Sequence, residues 1–197
     1  STLMKTIFGE IPPDTGRVEC GQTVRIAYFR QENEELNEKE RVIDSIRDIA
    51  DYLPTTDGLI SASQMAERFL FTPEMQFAPI EKLSGGEKRR LYLLRILMSA
   101  PNVLFLDEPT NDLDISSLMV LEDFLDHFAG IVLTISHDRY FLDRTVNRLF
   151  VFEGDGHIRR FEGGYTDYQV QLLRESKEQE EESVKSGEKE RKERERE

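Results

Sequence analysis

Two short apolar runs, separated by one helical repeat and each closing on polar residues, constrain this chain more than any other feature. Val103-Leu104-Phe105-Leu106 ends on Asp107-Glu108, and Ile131-Val132-Leu133-Thr134-Ile135 ends on Ser136-His137-Asp138. Almost continuously apolar runs of this length suit parallel strands covered on both faces. Between them Leu118, Leu121, Leu125 and Phe128 recur at intervals of three and four, marking one buried helix stripe, with Asp114 placed to cap it. Such a strand-helix-strand unit closes by a right-handed crossover, so both strands lie parallel in one sheet. Ligands of these sheets sit beyond the carboxyl ends of the strands. The residues just after Leu106 and Ile135 are therefore the first candidates for function.

Upstream, the segment from Val24 to Phe29 alternates as a strand does, and Pro12-Pro13-Asp14-Thr15-Gly16 reads as a turn or loop. Val42, Ile43, Ile46, Ile49, Ala50 and Leu53 fall at helical spacing, and a second helix is expected from about Ser61 to Phe69. Residues 35–100 thus read as a mainly helical subdomain inserted into an α/β core formed by residues 1–34 and 101–172. Near the end, the stretches from Arg148 to Glu153 and from His157 to Phe161 flank Gly154-Asp155-Gly156, the pattern of a hairpin. Residues 173–197 form a charged tail. From Glu175 onward its only large apolar residue is Val184, which predicts a frayed, solvated helix or disorder; the rival reading is the root of a longer coiled coil.

Charge narrows the partners. Carboxylates outnumber cations 39 to 26, and the tail from Arg174 carries 8 cations and 10 anions, so a net charge of -11 remains in residues 1–173. This balance argues against a broad basic face for nucleic acid on this segment. No apolar run approaches the ~20 residues of a membrane helix. A single cysteine, Cys20, can form neither an internal disulfide nor a multi-thiolate metal site, and it reads as a spare strand residue. No signal-like segment opens the chain, and a reducing, cytoplasmic setting is expected.

Three local patterns carry chemistry. In Leu83-Ser84-Gly85-Gly86-Glu87, Ser84 and Glu87 form a capping box that opens a helix running to about Ser99. The two glycines strip side chains from its first turn, where free N–H groups and the helix dipole favour an anion such as phosphate; an ordinary cap is the competing reading. Asp107 and Glu108 stand where an acid holds Mg²⁺ and its neighbour orients or deprotonates a water, or they simply end a strand in a solvated acidic turn. His137 is expected beside them on the neighbouring strand, within reach of a terminal phosphate. His127 and His157 read as structural.

The order Gln31, Leu83-Ser84-Gly85-Gly86-Glu87, Leu104-Phe105-Leu106-Asp107-Glu108, Asn111-Asp112-Leu113-Asp114 and His137 resembles an ATP-binding cassette: Q-loop, signature, Walker B, D-loop and switch histidine. More narrowly, the stretches from Glu108 to Asp114, from Ser136 to Asp143 and from Gly163 to Tyr168 are similar to the ABC-F family, twin-cassette ATPases without membrane spans. The resemblance covers about residues 1–172 and is closest to the second cassette. It implies a P-loop NTPase-type α/β fold, a parallel sheet flanked by helices with the inserted helical subdomain, and it implies ATP and Mg²⁺ as cofactors. Ser1, Gln31 and Asp107 would position the metal, Thr2 would touch phosphate, Glu108 would polarise the attacking water, and His137 would stabilise the phosphoryl group. Ser84, Gly85, Gly86 and Glu87 would cap the nucleotide held by a partner cassette, and Asp114 would couple the two sites.

One departure matters: the chain has no G-x-x-x-x-G-K-[ST] loop, and it begins Ser1-Thr2-Leu3-Met4-Lys5, which resembles the residues directly after the Gly-Lys of that loop. The expectation is a cassette truncated inside its phosphate loop, hydrolysing ATP negligibly when alone. The resemblance further implies the other cassette of the same parent chain, or a second copy, as partner, and no membrane. Ribosome and rRNA are the expected targets of the parent. A DNA structure is the alternative target, and a transporter's nucleotide-binding subunit is a third reading.

Overall fold

The parallel β-sheet order places every candidate residue of the sheet at one end. A computed structural model describes residues 1–31, 36–55, 58–111 and 113–177. Strands β1 (Ile26–Phe29), β4 (Val103–Asp107) and β5 (Ile131–Ile135) form a sheet in the order β1-β4-β5, parallel throughout. The register pairs Ile26 with Val103 and Val103 with Ile131, so Phe29, Asp107 and Ile135 all close the strands on the same side. Helix α6 (Ile115–Asp126) makes the crossover from β4 to β5, with the Asp114 carboxylate accepting from Ser117 N–H at 2.7 Å as its N-cap.

The two faces of the sheet differ. On one, helix α1 (Thr2–Phe8) brings Met4 against Tyr28 and Phe105, flanked by Ile7, Leu133 and Ile135. On the other lies α5 (Gly85–Met98), where the rings of Tyr92 and Phe29 stack at 5.5 Å. Leu91, Leu93, Leu94 and Leu97 of α5 are fully buried, as befits a helix covered nearly all round. β4 is buried, but β5 is only half covered, with Ile131 67% exposed, so the expectation of strands covered on both faces holds for β4 and fails for β5.

Between β1 and α5 lie α2 (Val42–Arg47), α3 (Ala62–Arg68) and α4 (Pro73–Phe77), which pack on one another, with α2 and α3 also contacting α5. Their core is Val42, Ile43, Ile46, Met65, Ala66 and Ile80. The helix expected to run to Leu53 stops at Arg47. Tyr52–Thr55 and Gly58–Ser61 instead form an antiparallel hairpin, β2 and β3. Leu53 is buried between exposed Tyr52 and Pro54, an alternation of period two that the helical spacing concealed, and Pro54 cannot continue a helix. Cys20 likewise departs from expectation: it is exposed and outside any strand.

The chain divides into two units, residues 1–138 and 139–197. The second begins with α7 (Arg139–Thr145) and continues into the expected hairpin, β6 (Arg148–Gly154) and β7 (His157–Glu162), followed by helix α8 over 165–177. Asp155 and Gly156 both take positive φ, the geometry a two-residue hairpin loop demands. The expected course of the tail beyond 177 lies outside the described residues.

Candidate functional site

At the carboxyl end of β4, Asp107 is buried and each of its oxygens accepts one hydroxyl: Oδ1 from Ser1 and Oδ2 from Tyr28, both at 2.9 Å. Ser1 is the N-cap residue of α1, but its hydroxyl makes no cap bond and turns to Asp107 instead. Burial first, and then the hydrogen bond to Asp107, push the Tyr28 hydroxyl well above its ordinary pKa. The folded state therefore holds Tyr28 neutral. Its contribution is fully present below the unfolded value of about 10 and declines as pH rises beyond it. Tyr28→Phe is expected to cost about 1.5–3 kcal/mol at neutral pH, because it strips a donor from a buried charged group. Urea titrations at neutral and alkaline pH check this: the gap between wild type and variant should narrow above pH 10.

Glu108 follows immediately with φ of 51°, a left-handed conformation that strains a residue bearing a Cβ. Its N–H donates to the Ile135 carbonyl at 2.8 Å, which ties the ends of β4 and β5. Oε2 accepts from His137 N–H at 3.2 Å, and His137 Nε2 lies 3.3 Å from Oε1. The Glu108 side chain is 6% exposed and that of His137 94%. A buried carboxylate thus meets a solvent-facing imidazole, the convergence the crossover topology predicts. Thr110 and Ser136 hydroxyls join the same two loops at 3.1 Å.

The second feature is the first turn of α5. Ser84 Oγ accepts from Glu87 N–H at 3.3 Å while Glu87 Oε2 accepts from Ser84 N–H at 2.7 Å, completing the capping box. These bonds, the backbone one first, hold the Glu87 carboxyl below its usual range. A Cβ built on Gly85 or Gly86 would meet no atom within 4 Å. The fold leaves room for a side chain there, so packing does not account for the two glycines, and the N–H array of the first turn is open to approach. Among the described residues, no hydrogen bond or ion pair joins this turn to Asp107, Glu108 or His137.

Of the remaining candidates, Gln31 is exposed just beyond β1, and Thr2 lies in the first turn of α1, its carbonyl accepting from the Thr6 hydroxyl. Asp114 caps α6 and faces the guanidinium of Arg90 at 3.6 Å. Ser1 and Asp107 present hard oxygens at hydrogen-bond distance from each other, a donor set that fits Mg²⁺. No cluster of three or more His, Cys, Asp or Glu that could hold a metal occurs among the described residues. Mg²⁺ suits such a sparse set, since it takes one or two protein ligands and completes its shell with phosphate oxygens and water.

Sequence reasoning missed Tyr28 and the buried arginines Arg89 and Arg90. Tyr28 lies three residues before Gln31 on the strand leading to it, and that proximity was the available signal. The arginines carried none, since charged side chains after a capping box read as solvated. The two motif stretches of the second unit turn out to hold each other. Asp143 accepts from Thr166 N–H at 2.8 Å and from its hydroxyl, and Arg139 lies over the Tyr165 ring at 5.4 Å. A Cβ on Gly164 would come within 2.8 Å of Asp143 Oδ1, so a side chain there would displace the carboxylate that Thr166 holds.

The family model described as ABC transporter matches residues 1–111. The ABC transporter ATP-binding protein YfmR of Bacillus subtilis (strain 168) is 59% identical over 169 residues, 85% of this chain and 27% of that protein. ATP-binding protein Uup of Escherichia coli (strain K12) is 40% identical, over 85% of this chain and 26% of its own length. Energy-dependent translational throttle protein EttA of the same organism is 36% identical, over 86% and 30%. The chain thus spans about a quarter of the length of curated relatives it matches. Among solved structures, the complex of archaeal ribosomal stalk protein aP1 with the archaeal ribosome recycling factor aABCE1 has a TM-score of 0.67 at 22% identity, covering 88% of this chain and 34% of that one. The ATP binding subunit of an ABC transporter gives 0.63 at 19%, over 87% and 76%. Both show the same fold.

Proposed function

We propose that this chain, which belongs to the ABC transporter family and to its ABC-F branch, supplies the hydrolytic acid and the signature turn of an ATP-switched factor that acts on the ribosome. The observation that carries the reading is the pairing of buried Glu108 with exposed His137 beyond parallel strands, beside an Asp107 already bonded to Ser1. Mg²⁺ and the triphosphate supply the electrophilic phosphorus and its charge neutralisation when bound. Asp107 and Ser1 would hold the metal, with Gln31 completing its positioning. Glu108 would orient and polarise the attacking water, its strained backbone fixing the carboxylate towards the strand ends. His137, donating its backbone N–H to Glu108, would present the imidazole to the transferring phosphoryl oxygens. Such catalysis is positioning and electrostatics, so small displacements are costly.

The N–H groups at the start of α5 would cap the terminal phosphate bound by a second cassette, from the same polypeptide or another copy. Ser1 and Thr2 would lie next to the phosphate of this cassette's own site. No helix among the described residues is long and apolar enough to cross a membrane, and the proposed setting is cytoplasmic. The acidic charge of this segment does not oppose a ribosomal role, since another segment of the natural polypeptide would touch RNA.

The test is cosedimentation of the natural full-length polypeptide carrying Glu108→Gln with ribosomes, branched DNA or membrane vesicles, with and without ATP. ATP-dependent recovery with ribosomes is expected. Recovery with branched DNA or vesicles alone would overturn the ribosomal reading.

A further inference from the structure

A tyrosine in the strand next to β4 reaches the acid at the end of β4, and nothing in the sheet itself demands that bond. Tyr28 pairs in register with Phe105, and Phe105 and Asp107, two positions apart, point to the same face. Two strand residues span about 6.6 Å, a length that a tyrosine leaning along its strand can cover. Its hydroxyl donates to Asp107 Oδ2 at 2.9 Å. The ring is held on several sides: it packs edge-on to Phe8 at 5.5 Å and to Phe105 at 5.8 Å, with Met4 in the same cluster, and the Arg30 guanidinium lies 5.3 Å from its centre. Tyr28 is thus a buried, fixed donor.

Packing explains the ring and not the hydroxyl, since a phenylalanine would fill the same place between Phe8 and Phe105. Nor does the fold need the acid. Asp107 is 2% exposed, and among the described residues its oxygens meet two neutral hydroxyls and no cation. A buried carboxylate so placed is a burden on stability, and apolar groups in place of both partners would cost the fold little. The arrangement suits a site whose cation comes from outside. The two donors then differ in kind. Ser1 is itself proposed to hold Mg²⁺, so its hydroxyl is wanted by the metal as well as by Oδ1. Tyr28 has no such second demand, and its bond to Oδ2 is the one that keeps the carboxylate in place while Ser1 takes a new partner.

We infer that Tyr28 is a positioning residue for the metal ligand Asp107, holding its carboxylate by Oδ2 so that Oδ1, the oxygen bonded to Ser1, stays set for Mg²⁺. The inference rests on the proposed function and adds to it the side chain behind the ligand. Mg²⁺ demands near-ideal geometry and gives up water reluctantly, so a ligand free to turn serves it poorly. Groups that hydrogen-bond a metal's carboxylate ligands raise metal affinity by fixing their orientation.

The probe is Mn²⁺, whose free-ion spin resonance is lost on binding, and the protein is the natural full-length polypeptide carrying Glu108→Gln and loaded with ATP. Adding Asp107→Asn identifies which bound Mn²⁺ belongs to this site. Tyr28→Phe should raise the dissociation constant of that Mn²⁺ about 10–100-fold, while ATP affinity without metal stays within about twofold. Combined with Asp107→Asn it should weaken Mn²⁺ no further, because the hydroxyl acts through the carboxylate. Phe8→Leu loosens the packing of the same ring and keeps the hydroxyl, so its Mn²⁺ affinity should stay within about twofold of the parent; a merely structural role for Tyr28 would make the two variants alike. All are measured in trimethylamine oxide, which favours the folded state and keeps Tyr28→Phe folded. Unchanged Mn²⁺ affinity in Tyr28→Phe, additive losses, or an equal loss in Phe8→Leu would overturn the inference and leave the proposed function standing. If Asp107→Asn releases no Mn²⁺, the proposed metal site falls and the inference with it.

Discussion

Replacing Glu108 by Gln in the natural full-length polypeptide should lower ATP turnover roughly 10²–10⁴-fold, the range a positioned acid-base group contributes, and leave the protein paired around unhydrolysed ATP. The substitution is nearly isosteric, and the amide oxygen can still accept the His137 N–H. The backbone bond of residue 108 to Ile135 involves no side chain. What disappears is the negative charge, held in a side chain 6% exposed beside the imidazole. Binding should therefore survive while the chemical step does not, a split visible as retained ATP affinity with lost phosphate release. Turnover within about threefold of wild type would remove Glu108 from the role of hydrolytic acid, since a general base is worth far more than that.

The second large effect separates folding from function in opposite directions. Gly86→Asp places a carboxylate in the first turn of α5, in space that a Cβ enters without contact. Asp exceeds Gly in helix propensity by only about 0.3 kcal/mol, and an acid at a helix N-terminus adds about 0.3–1 kcal/mol. The melting temperature should stay level or rise. Yet the carboxylate occupies the place proposed for a phosphate and repels it, so ATPase activity should fall about a hundredfold or more, in line with losing a donor array aimed at developing charge. If the variant melts lower and keeps its activity, the glycine serves the fold and the anion reading of this turn is wrong.

The sheet was readable because its apolar runs are short and its crossover helix keeps a clean stripe; right-handedness then placed Glu108 beside His137 without any knowledge of tertiary contacts. The capping box at Ser84 was readable because its logic is local. Where two periods agree, the sequence was ambiguous: Leu53 satisfies both a helical and an alternating pattern, and the hairpin of β2 and β3 prevailed once Pro54 excluded a helix. The half-covered face of β5 was invisible, because an apolar run records what a strand tolerates rather than what covers it. Long-range polar contacts were hidden too. The hydroxyls of Ser1 and Tyr28 reach Asp107 across 106 and 79 positions, and Arg90 reaches Ser117 across 27. No periodicity encodes such a bond. The same holds for Asp143 and Thr166: their stretches stood out as motifs, but nothing local said that one holds the other.

The account as a whole requires that one terminal phosphate come to lie against the turn at Ser84 and another against the pair formed by Glu108 and His137. Photolabelling with ATP bearing a reactive group on its γ-phosphate, in the presence of Mg²⁺ and followed by peptide mapping of the natural full-length polypeptide, measures this directly. Labels competed by unmodified ATP should fall on the peptide containing residues 84–87 and on the one containing residues 136–138. Labelling confined instead to the concavity of about 720 Å³ beside Phe69 and Phe124, or no label that ATP displaces, would contradict it.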